Sequence, residues 1–206
     1  MIIDDVDISL ASGRSQSETG VSQSFISRGE CSNLAQNGDL SAGDARFWDV
    51  IGPGTELEMF GYESSSSPAL KVTSRSVSFA GAKQTVNQAC LIEGESWTVQ
   101  AKFKLMSGTD PVGCDPKATW GDNQCPGITL TASKRDDATG GTLTKVLTLR
   151  NMVEKPWDTT DFNNFHSSFT VTGEMAKWDS LVFSTDLTRP GVDVIFDDLR
   201  IIPTGL

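Results

Sequence analysis

At 206 residues the chain has room for one domain with a sizeable hydrophobic core. A formal net charge of −10 and an isoelectric point near 4.5 exclude the clustered cations that nucleic-acid phosphates demand, and disfavour an anionic membrane surface. No apolar run approaches the ~20 residues of a spanning helix.

Residues 2–8 read as a strand, followed by a stretch over 11–30 dominated by Ser, Gly and Gln with no apolar period. The first stretch has a near copy at the other end of the chain. Ile3, Asp4, Asp5, Val6 and Ile8 match Phe196, Asp197, Asp198, Leu199 and Ile201. We therefore read residues 1–10 as a strand left from a preceding similar module, 11–30 as a linker, and 31–206 as the domain proper, so that neighbouring modules are expected partners. No secretory signal pattern follows Met1.

Within the domain, Asn37-Gly38 marks a turn and Trp48 sits in a short apolar stretch over 47–51. Strands are expected over 69–75, 77–79 and 84–86. Residues 97–105 alternate most clearly, with Trp97, Val99, Ala101, Phe103 and Leu105 on one face and Thr98, Gln100, Lys102 and Lys104 on the other. A strand of this kind belongs to an antiparallel sheet with one wet face. Residues 107–127 form a Gly- and Pro-containing loop around Cys114, Trp120 and Cys125. Strands resume over 128–132 and 143–149, then 152–165 reads as irregular around Trp157, and strands return over 169–172, 178–184 and 192–202. Many short strands separated by turn residues, with no helical period, predict an all-β sandwich.

Four cysteines without a C-x-x-C pair permit three disulfide pairings. Cys114 and Cys125 flank a loop that a bridge would pin, which favours that pair and leaves Cys31 with Cys90. The single His166 and the wide spacing do not make a zinc site. Disulfides imply an oxidising environment, hence a secreted or cell-surface protein.

Asn33 to Leu40 with Trp48, then residues 69–75, Gly81 to Gln84, residues 94–104, Trp178, and Ile195 to Leu199 follow the order seen in carbohydrate-binding modules of the family 4, 9 and 22 type. The chain resembles that group from about Asn33 to Pro203. The resemblance implies a jelly-roll of two antiparallel sheets, a groove that takes a polysaccharide such as a β-glucan or xylan, and a structural calcium ion. Carried over by position, the calcium candidates are Gly38 through its carbonyl, Asp39, Ser41, Lys71 or a residue before it, and Asp197 and Asp198. The family commonly carries an aromatic and then an acidic residue where Leu40 and Ser41 stand here. Alternation alone does not settle which of the two acids points inward; Asp197 shares the phase of Leu199 and Ile201 and is preferred as the inward one.

Aromatic side chains lie against the C–H faces of sugars while planar polar groups meet hydroxyls. On that chemistry the ligand candidates are Phe79 with Arg75 and Gln84, the polar row Gln100 and Lys102, the loop tryptophans Trp120 and Trp157, and Tyr62. Trp48, Trp97 and Trp178 fit the core. Acids gather in loops rather than as a facing pair on strands, so a catalytic role is not expected. Besides polysaccharide binding, the sequence is compatible with an adhesion or matrix module that binds protein and uses calcium only for stiffness.

Overall fold

The computed structural model describes residues 31–61, 68–118, 121–152 and 155–204. The strand copy over 1–10, the linker over 11–30, Tyr62 and Trp120 lie outside these residues.

The described strands, in chain order, are β1 (Asp49–Ile51), β2 (Glu56–Phe60), β3 (Ala69–Thr73), β4 (Gly81–Thr85), β5 (Ser96–Ser107), β6 (Asp110–Pro111), β7 (Gly127–Arg135), β8 (Thr142–Leu149), β9 (Asn163–Thr170), β10 (Ser180–Asp186) and β11 (Asp193–Pro203). One sheet runs β1-β4-β10-β7-β8 and the other β2-β3-β11-β5, with β9 and β6 side by side along the outer edge of β5. All pairings are antiparallel, giving the predicted jelly-roll sandwich.

Alternation decides what each strand buries. On β5, Trp97, Val99, Ala101, Phe103 and Leu105 are buried, as their spacing requires. They meet Val194, Phe196, Leu199 and Ile201 of β11 and Phe183, Leu181, Leu130 and Ile128 of the opposite sheet in one core. Trp48 packs edge-on to Phe183 with ring centroids 5.7 Å apart and tilted on Phe196 at 4.7 Å, and its Nε1 donates to the Asn37 carbonyl at 3.2 Å. Trp97 is likewise buried and Trp178 packs against the core, so all three expected core tryptophans are structural.

Four stretches differ from the sequence reading. β9 runs over residues 163–170, starting inside the stretch read as irregular and ahead of the strand expected over 169–172, and it buries Phe165, Ser167 and Phe169 although half of its residues are Asn or Ser. Residues 56–60 form β2, an edge strand whose Leu57 and Met59 pack on the core. Residues 77–79 are a turn, and residues 173–177 form a single helical turn, α1 (Gly173–Lys177), capped by Thr172, whose hydroxyl accepts from the Met175 N–H.

β11 is the central strand of its sheet. It pairs with β5 from Asp193 to Pro203 but with β3 only at Val194, Ile195 and Phe196. Beyond Phe196 its free edge is taken by the segment before β1: Leu34 N–H donates to the Ile201 carbonyl at 2.8 Å, Leu199 N–H to the Gly38 carbonyl at 2.9 Å, and Ile201 N–H to Asn33 Oδ1 at 2.9 Å. The change of partner coincides with a bulge between Asp197 and Arg200, where Asp198 adopts φ 55°. Gly38 must be glycine there, since a Cβ would stand 1.9 Å from the Leu199 carbonyl oxygen.

The bridges are Cys31–Cys90 and Cys114–Cys125, as favoured from sequence. In the chain-entropy view the first, spanning 59 residues, restricts the unfolded chain more than the second, spanning 11. Replacing Cys31 and Cys90 by Ala is expected to cost ~4 kcal/mol in urea unfolding, and replacing Cys114 and Cys125 ~3 kcal/mol. Equal losses, or the reverse order, would contradict this ranking.

Candidate functional site

The residues expected to contact a ligand fall in four places. Phe79 is 53% exposed in the turn before β4. Its expected companions are interior. Arg75 is 3% exposed and spends its guanidinium on five main-chain carbonyls: Ala80 at 2.8 Å, Arg189 at 3.1 Å, Val192 at 2.7 Å, Ser78 at 3.2 Å and Thr188 at 2.8 Å. Burial lowers its pKa to about 10, against the opposing pull of Asp186 and Asp193. Gln84 is opposite Phe183 on the core side of β4, is 4% exposed, and clasps Gln36, accepting from its N–H at 3.0 Å and donating to its carbonyl at 2.6 Å. Both assignments as ligand contacts are corrected: Arg75 has no donor left to offer outward, and Gln84 is turned into the interior, so the two side chains fasten loops to the sandwich.

Gln100 and Lys102 lie on the wet face of the six-stranded sheet, as their alternation predicted. With Asn164, His166, Asp198 and Arg200 they line a shallow recess of about 220 Å³. Lys102 Nζ is held by Asp198 at 2.9 Å, and Asp198 also accepts from Arg200 at 2.7 Å. These two cations, Lys102 first, keep the Asp198 carboxyl below its usual pKa.

The acidic pair is split by the bulge. Asp197 stands opposite Lys102 in the outward register, and it is Leu199 and Ile201, past the bulge, that return to the core. The inward phase expected for Asp197 is therefore corrected, yet Asp197 is only 8% exposed. Burial raises its pKa, and neighbouring Asp198 and Asp39 add to the rise while the Asp198 N–H, at 2.6 Å, opposes it. Of the calcium candidates, Asp39 is near enough to Asp197 to raise its pKa, and the Gly38 carbonyl accepts from the N–H of Leu199, two residues beyond Asp197. Ser41 is exposed with its N–H on Asp39 Oδ1 at 3.2 Å, and Lys71 points outward to Asp193 at 2.9 Å and Glu58 at 3.9 Å. Among the described residues no three His, Cys, Asp or Glu side chains converge. Two carboxylates, one of them desolvated, beside the carbonyls of a tight turn make a donor set that suits a hard, oxygen-seeking cation.

A recess of about 500 Å³ opens at one end of the sandwich between the disulfide loop and the loop before β9. Trp157 lines it, half-buried against the core rather than standing free.

Sequence reasoning missed the outward face of the five-stranded sheet. Register places Lys83, Ser184, Thr129 and Thr148 in one row, Thr85, Val182, Thr131 and Val146 in the next, and Ser180, Ser133 and Thr144 in a third. The alternation of Thr with Leu along residues 128–132 and 143–149 was the available signal. At the end of this face lies Asp186, 4% exposed, accepting from Thr129 Oγ1 at 2.8 Å and Ser184 Oγ at 3.3 Å. Burial raises its pKa to about 7, with the two hydroxyls and Arg75 working against the rise.

Neither a protein-family model nor a curated protein sequence matches the chain. Among solved structures, the chain is similar to the CBM22-2 xylan-binding domain of Paenibacillus barcinonensis Xyn10C, at 19% identity and a TM-score of 0.52 over 81% of this chain and 98% of that one. It is also similar to the C-terminal family 22 carbohydrate-binding module of Clostridium thermocellum Xyn10B, at 11% identity and 0.50 over 79% and 89%. The CBM22-1-CBM22-2 tandem domain of the Paenibacillus protein matches at 14% identity and 0.53, covering 83% of this chain and 44% of that one.

A carboxyl whose folded pKa lies above its unfolded value binds more protons when folded, so stability falls as pH rises from about 4 to about 7 and is level above that. The thermal midpoint is therefore expected to drop between pH 5 and pH 8, and Asp186→Asn should flatten the drop; an unchanged slope in that variant would assign the pH dependence elsewhere. Together the two-sheet topology and these superpositions give the chain the jelly-roll fold of family 22 carbohydrate-binding modules.

Proposed function

We propose that this chain is a non-catalytic polysaccharide-binding module. The observation that carries the reading is the outward face of the five-stranded sheet, an array of hydroxyls and methyls in a fold shared with xylan-binding domains. Thr131, Thr144, Thr148 and Thr85 offer hydroxyls to a sugar, while Val146, 60% exposed, and Val182 offer apolar contact to its C–H face. Phe79 adds an exposed ring. A xylan or β-glucan chain laid across such a face is held by many weak contacts rather than by a stacked aromatic. Gel-embedded xylan and β-glucan should retard the native protein, and Thr131→Arg with Val146→Arg, both at the surface, should abolish retardation. Mobility unaffected by any neutral or acidic glycan would defeat the reading.

The same proposal includes a structural calcium ion, for which Asp197, Asp39 and main-chain carbonyls of the Gly38 turn would supply the oxygens. A cation held only by the folded state raises the melting temperature, so a chelator should lower it and Asp197→Asn should remove the difference. A midpoint indifferent to chelation would count against the ion. The two disulfides favour a secreted or cell-surface location.

The second reading, an adhesion module that binds protein, is favoured by β8. This edge strand exposes Leu143, Val146 and Leu147, and an exposed strand edge is a template for another chain. Capture of a protein partner that survives enzymatic removal of glycans and fails with Leu143→Lys and Leu147→Lys would select it.

A further inference from the structure

We propose that the recess at the end of the sandwich is a second binding site, separate from the sheet face, and that it takes the terminal one or two units of a sugar chain. At about 500 Å³ it has roughly twice the volume of the recesses on the sheet faces, 260 and 220 Å³, and falls within the range of small-ligand pockets. Its floor is closed. Phe103 and Phe165 meet edge to face at 5.7 Å across the bottom, and Phe103 is backed by Phe196 at 6.4 Å, so nothing can pass into the core. Cys125 and Pro126 on one side and Trp157 and Phe162 on the other form the walls. The first wall is pinned by the Cys114–Cys125 bridge. The second is pinned by Asp158, whose carboxylate turns back on its own loop to accept from the Thr160 and Asp161 N–H groups and from the Thr160 hydroxyl.

A blind, aromatic-walled recess held open by two braced loops suits the compact end of a chain, whereas the continuous sheet face suits its interior. The polar chemistry agrees. Trp157 presents its ring to the recess, and its Nε1, buried, meets no acceptor among the described residues. Asn164 and Lys155 line the same recess and are exposed, each able to donate to hydroxyls.

The test titrates the full chain carrying Thr131→Arg with Val146→Arg, which silences the sheet face, with xylobiose, xylotriose, xylohexaose and cellobiose by calorimetry. Affinity should change less than about twofold from three units to six, with one site per chain end. Trp157→Ala should weaken it at least tenfold, and Trp157→Phe, which keeps a ring and loses the N–H, should fall between, with melting curves confirming that both variants fold. Restoring Thr131 and Val146 should leave the xylobiose and xylotriose titrations unchanged and bring back retardation by xylan gels. Affinity that climbs steadily with chain length, a Trp157→Phe variant that titrates like the chain with Trp157, or no heat from any of the four sugars overturns the terminal site. Gel retardation by polysaccharide reports separately on the sheet face.

Discussion

β11 is hydrogen-bonded on both edges and buried on its inner face, and the whole sandwich is arranged around keeping it so. One edge belongs to β5 throughout, but the other changes hands after Phe196 from β3 to the segment containing Asn33, Leu34 and Gly38. A regular strand cannot serve two partners that diverge, and the bulge at Asp197 and Asp198 absorbs the mismatch. The two carboxylates stranded there are stabilised by different means. Asp198 has two cations, while Asp197 has one main-chain N–H and an acidic neighbourhood. Burying an anion is costly, and the attraction of Lys102 offsets only part of that cost at Asp197.

Arg75 shows the same economy on a larger scale. Five carbonyls from two separate loops would otherwise face the interior without donors, and one rigid, permanently charged fork satisfies them all. The turn that presents Phe79 is thereby tied to the turn leading into β11. A guanidinium in this role cannot also read a ligand, so the polar residues nearest an exposed aromatic ring are here part of its mounting.

Period-two alternation made the strands with clean patterns legible, above all β5, whose every inward residue is predictable from its neighbours. β9 escaped because Asn163, Asn164, Ser167 and Ser168 have low strand preference; it is held by pairing with β5 and by two buried phenylalanines, information that lies across the sheet rather than along the chain. The phase of Asp197 was misread for a related reason, since a bulge inserts a residue that alternation cannot see. Arg75 and Gln84 were legible as planar hydrogen-bonding groups but not as interior ones, because their partners are main-chain atoms of residues up to 117 positions away. The disulfide pairing followed from loop logic alone. The hydroxyl-rich outer face of the five-stranded sheet was hidden in plain sight, as a Thr-x-Thr rhythm that a search for aromatics passes over.

The hydrogen bond between Leu34 and Ile201 places the entry and exit of the described chain side by side at one end of the sandwich. A pull applied to those two ends would meet the bonds joining Asn33, Leu34 and Gly38 to β11, the pairing of β11 with β5, and the Cys31–Cys90 bridge. A tether threaded through such a module would enter and leave it on the same side.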